Sequence, residues 1–104
     1  MQVKWDKRAL KQLDKATEYG FWKFGEITAV RFYRKVRGYD SLLTEHPRMG
    51  KVESLLVGRR FEYRSLVVHE HYKLIYYINE AKERIVITNF WDTRREPKRL
   101  NEET

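Results

Sequence analysis

No cysteine occurs in this chain, and only two of its 104 residues are proline. Without cysteine there is no disulfide framework, no thiolate nucleophile and no zinc site of the usual sulfur type. Nowhere do 18 apolar residues run together, and the opening MQVKWDKRAL lacks the apolar centre of a signal peptide, so a cytoplasmic protein outside the membrane is expected. No glycine-rich phosphate loop and no Ser-His-Asp set can be assembled. Repeats, linkers and low-complexity stretches are also missing, and no cofactor is expected.

What is present is enough for one core. A chain of this length fits a single domain, residues 1–104, and 14% aromatic with 36% charged residues gives it large apolar surface and a soluble exterior. Lysine and arginine number 22 against 15 acids, a net charge of +7 that points to an anionic partner. The excess is spread evenly, with no polybasic tail.

VKW (residues 3–5) reads as a short strand, and Asp6 can cap a helix behind it. Leu10, Leu13, Thr17, Phe21 and Phe24 recur at steps of three and four, which lays one apolar stripe along a helix that Gly25 can close. Ala29, Phe32, Val36, Tyr39 and Leu43 repeat the pattern in a second helix that should stop before Pro47. The joint Phe24-Gly25-Glu26 makes the two an antiparallel hairpin. The period then changes to two. FEYRSLVV (61–68), HYKLIYYI (71–78) and RIVITNFW (84–91) read as a three-stranded meander, while KVESLLV (51–57) is open between a short strand and a loop. The expected fold is α+β: an N-terminal strand and helical hairpin packed on a C-terminal antiparallel sheet, with VKW returning to a sheet edge.

With His69-Glu70 as a two-residue turn, Val68 would face His71. Arg64, Lys73 and His71 would then share one sheet face with Asn89 and Trp91, and Arg94 and Arg95 would lie just past its end. Phe61, Tyr63, Val67, Tyr72, Leu74, Tyr76 and Ile78 would face the helices. FWDTRREPKRL (90–100) would continue the cationic face, where Arg95, Lys98, Trp91 and His71 suit RNA, since cations neutralise phosphate and rings stack on unpaired bases. Scattered strand cations also occur on plain solvated faces. His46, His69 and His71 lack a metal-ligand pattern, so no metal site is expected. His71 reads either as a general base or as a solvated turn residue.

Leu43, Pro47 and Gly50, then Tyr63-Arg64-Ser65-Leu66, Tyr72-Lys73-Leu74-Ile75-Tyr76 and the stretch Ile87 to Leu100 with its DTR..P ending, resemble in order and spacing the RelE/ParE superfamily of type II toxin–antitoxin toxins. The resemblance spans nearly the whole chain. It implies a small toxin that arrests growth and is silenced by a cognate antitoxin laying an acidic or amphipathic segment over helices and sheet. A homodimer is the alternative cover when the antitoxin is absent. RelE-like members enter the ribosomal decoding site and cut messenger RNA, whereas ParE-like members inhibit DNA gyrase; a degenerate, inactive toxin is a third reading. For ribosome-dependent cleavage the resemblance makes Arg64 and Lys73 holders of the phosphate and Arg94, with Arg95, the stabiliser of the transition state. The proton-transfer group is missing from its usual place near the C-terminus. Asp92 is open between base and ion-pair partner of Arg94 or Arg95. Cleavage is placed ahead of gyrase inhibition on the strength of that connected basic set.

Overall fold

The computed structural model describes residues 1–104. Strand β1 (Gln2–Trp5) runs into helix α1 (Lys7–Phe24) at Asp6, whose Oδ1 accepts the Ala9 N–H at 2.9 Å. That bond satisfies one of the amide hydrogens a first helical turn leaves free. Gly25, at φ +91°, provides the left-handed residue that stops α1 and lets α2 (Glu26–Glu45) start back along it. α2 ends before Pro47 as its sequence predicts, and the chain continues through β2 (Lys51–Val52) and a 3-10 turn at Ser54–Leu56. The undecided KVESLLV is therefore a two-residue strand followed by a turn.

Strands β3 (Tyr63–His69), β4 (Tyr72–Asn79) and β5 (Arg84–Asp92) form the expected antiparallel meander. The whole sheet has the order β1-β5-β4-β3-β2, with β1 parallel to β5 at one edge. A helix α3 (Lys98–Glu103), absent from the sequence reading, ends the chain. The α+β class holds, with a mixed rather than wholly antiparallel sheet.

Two cores sit on the two faces. Trp5, Ala9, Leu13, Val36, Leu43, Leu74, Tyr76, Ile85, Ile87 and Phe90 join hairpin to sheet. On the far face Leu56, Ile75, Trp91 and Leu100 form a smaller core, roofed by the 3-10 turn and α3. The hairpin outruns the first core. Phe21 and Phe24, expected in the buried stripe, are exposed, as are Trp22 and Ile27.

Gly50 marks where the chain leaving α2 crosses the sheet. A Cβ there would stand 2.7 Å from the Ser65 carbonyl and 2.8 Å from the Tyr76 hydroxyl, so only glycine lets the backbone this close. Tyr76 uses the approach: its hydroxyl accepts the Gly50 N–H at 2.9 Å and donates to the Pro47 carbonyl at 2.7 Å.

Candidate functional site

One residue decides the geometry of the expected basic face. His69 pairs with Tyr72, so the turn is Glu70-His71 rather than His69-Glu70, and Val67, not Leu66, lies opposite Lys73. A bulge between Val67 and His69 absorbs the difference. A shift of one residue moves a strand's side chains to the other face. Arg64, level with Tyr76, is consequently on the helix side, and Lys73, level with Val67 and Trp91, is on the far side. The shared face of Arg64 and Lys73 is thus corrected. Phe61, Tyr63 and Val67 are corrected with it: Tyr63 and Val67 alternate onto the far face, where Phe61 stacks on Tyr77, and only Tyr72, Leu74, Tyr76 and Ile78 meet the helices.

Each cation of the set has an internal partner. Arg64 donates to the Gly50 carbonyl at 2.7 Å and to Glu62 at 2.9 Å, and its side chain is only 16% exposed. Lys73 is paired with Glu53, whose carboxylate is itself buried beneath the 3-10 turn. Removing either partner of such a pair would strand a charge away from water. Arg94 makes a two-pronged contact with Asp92, Nε to Oδ1 at 3.0 Å and Nη2 to Oδ2 at 2.9 Å. The Arg94 hydrogen bonds hold the Asp92 carboxyl below the usual aspartate range, against the opposing effect of its partial burial, and the same contact raises Arg94 further. Asp92 is therefore engaged as an ion-pair partner.

The residues beyond the strand follow suit. Arg95 pairs with Glu103 at 2.5 Å and lies over the Trp91 ring, 4.5 Å from its centroid. Trp91 is buried, which corrects its expected place as a free stacking ring. Lys98 is exposed on the first turn of α3, 3.4 Å from Glu96. His71 is in the turn, half exposed and 3.8 Å from Glu70. His69, edge-on to Phe32 at 5.2 Å, is pushed by burial toward its neutral form.

Where the sheet ends, α1 forms the wall of a cleft. Gln12, Lys15, Ala16 and Tyr19 face Tyr72, Phe90, Asp92, Arg94 and Arg95 across an open volume of about 320 Å³. Burial raises the Tyr72 hydroxyl above its ordinary value, with Asp92 adding to the effect, so this phenol stays protonated. Further along, the hairpin tip exposes Tyr19, Phe21, Trp22, Phe24, Ile27 and Val30, with Trp22 78% exposed. Lys23, Arg31 and Arg34 are the cations nearest these residues along the two helices, and Glu18 and Glu26 are the acids. Sequence reasoning missed the tip because it sought a core stripe. The available signal was that Trp22, Ile27 and Val30 lie off both stripes at the joint. Glu53 carried no signal, since nothing in the local pattern aims it at Lys73.

The fold is shared with solved structures. A chain of the chromosomal ParDE TA system from P. aeruginosa superposes with a TM-score of 0.71 at 15% identity, over 88% of this chain and 95% of that one. A chain of the YoeB dimer from Staphylococcus aureus gives 0.53 at 13% identity, over 86% and 93%. At such identities the likeness is one of fold, a helical hairpin on an open sheet in the α+β class. No curated protein matches the sequence. The family model for the ParE toxin of the type II toxin-antitoxin system, parDE, matches residues 3–97. The chain belongs to that family and is a toxin of a type II toxin–antitoxin system, which implies a cognate antitoxin as partner. None of its helices is long and apolar enough to cross a membrane.

Proposed function

We propose that this toxin arrests growth as a protein-binding inhibitor of DNA gyrase, the ParE-type activity, with the tip of the helical hairpin as its working surface. One observation carries the reading: Arg64, Lys73 and Arg94 are each tied to an internal partner, while the tip leaves Phe21, Trp22, Phe24 and Ile27 exposed. Cleavage of RNA needs cations free to meet the charge growing on phosphate and a group free to take a proton. Docking needs neither. Large rings in a cationic surround suit an acidic protein surface, and tryptophan is the residue most enriched among binding hot spots. The +7 charge speeds encounter with such a partner.

The test pairs two assays on the purified chain. Gyrase supercoiling should be inhibited, with inhibition weakened at least tenfold by Trp22→Ser with Phe24→Ser and unchanged by Arg94→Ala. Ribosomes programmed with a defined messenger should leave the message intact. Message ends at the decoding site, lost in Arg94→Ala, would overturn the reading in favour of ribosome-dependent cleavage.

A further inference from the structure

Near the place where the hairpin leaves the sheet, Phe32 of α2 is wedged among three rings. It stands edge-on to His69 at 5.2 Å, to Tyr72 at 5.8 Å and to Phe90 at 5.9 Å. One turn further out Ala29 is still buried, and beyond it Ile27 and Phe24 are in water. His69 reaches the wedge through the bulge of β3. Val68 joins the core beneath the hairpin, and His69, level with Tyr72, faces the same way. Strict alternation would have sent one of the two to the far face. The bulge therefore delivers a titratable ring to an aromatic contact.

The surroundings favour that ring in its neutral form. Its Nδ1 is buried and meets no hydrogen-bond partner in the chain. A neutral imidazole can leave one nitrogen as an unpaired acceptor, whereas the charged ring carries an N–H on both nitrogens and would bury one of them unsatisfied. Charge acts in the same direction. Among the neighbouring charges Lys35 on α2 weighs most, and Lys23 of α1 and Arg94 beyond β5 line the same groove. Glu70 is the acid of that groove, and it already stands 3.8 Å from His71 in the turn; Tyr19 and Tyr72 complete its titratable groups. Burial first and Lys35 second hold His69 below the ordinary histidine value, with Glu70 opposing and His71 adding to the effect.

We propose that His69 is an acid-sensitive clasp: a proton on its ring weakens the wedge around Phe32 and loosens the outer half of the hairpin from the sheet, so that the exposed tip is held in place at neutral pH and released in mild acid. The device rests on the packing beneath the tip and not on what the tip binds. The neutral ring's contribution to folding is complete above the ordinary histidine range and is lost as pH falls through the lower folded value. That window lies above the one in which Asp92 acts, because a carboxyl held low by Arg94 stays ionised throughout it.

The experiment follows the full chain from about pH 8 to about pH 5 by three readouts. In proton NMR the His69 ring, identified by its cross-peaks to Phe32, should titrate below the ordinary histidine value. Denaturant melts of the parent should lose stability across this range. His69→Gln and His69→Phe, which take up no proton there, should each remove most of that loss, while His71→Gln keeps it. Hydrogen exchange, corrected for the intrinsic effect of pH, should show residues 17–32 opening roughly threefold more often or beyond at the acid end, with β4 and β5 as protected as before. A His69 ring that titrates at or above the ordinary value, a loss of stability as large in both His69 variants as in the parent, or exchange that rises equally across β4 and β5 would each overturn the proposal. If neither variant folds, the titration and the exchange of the parent decide.

Discussion

At the root of the hairpin Ala9, Leu13, Val36 and Leu43 are sealed against the sheet, while at its other end Phe21, Trp22, Phe24 and Ile27 stand in water on the same two helices. Both ends are built from apolar residues, and both are regular helix. What differs is what lies beneath. α1 has 18 residues and rises about 27 Å, and the strands give out partway along it, at Asp92 and at the Glu70-His71 turn. Apolar spacing thus sets the conformation of a helix, and the extent of the neighbouring sheet sets how much of that helix is core. An apolar helix carried past its own sheet is a surface made for another molecule.

The contrast can be broken at the root. Leu13→Ala leaves a cavity under fully buried packing and should cost about 2–5 kcal/mol in a denaturant melt. A loss below 1 kcal/mol would mean that the root is not core. Midway, Asp92 and Arg94 close the cleft beside Ala16 and Tyr19. Because Arg94 holds the folded Asp92 carboxyl below its unfolded value, the pair's contribution is complete above the ordinary aspartate range and fades as pH falls through the folded value. Asp92→Asn should therefore lower the melting temperature slightly at neutral pH, with the two curves converging in acid. A gap that stays constant from neutral to acid pH would remove Asp92 from this role. At the tip the effect on folding should be smallest: Trp22→Ser should move stability by no more than about 0.5 kcal/mol. A larger loss would show that the tip packs on something within the chain.

Much of this was legible in advance. The Asp6 cap, the stop at Gly25, the end before Pro47 and the three long strands follow from local rules that tertiary packing did not override. Register was not legible. On β4 Leu74, Ile75 and Tyr76 are buried in succession, and on β5 so are Thr88 through Trp91, because α3 and the 3-10 turn cover the second face there. Alternation identifies a strand's inner face only when the other face is wet. With that marker gone, the turn could be placed one residue early, and the Val67–His69 bulge hid the error. α3 follows Pro97 as six residues without an apolar stripe, too short to announce itself. The candidate site suffered most, since Glu53 reaches Lys73 from 20 residues away and no local pattern records such a meeting.

The parallel pairing of β1 with β5 ties residues 2–5 to residues 84–87. The first strand thus waits for the last before it can take its place, a closure across most of the chain that is entropically slow compared with forming the hairpin. On a translating ribosome Arg84–Ile87 must clear the exit tunnel before the sheet edge can close. The sheet edge of the toxin consequently forms only after its fifth strand has been synthesised.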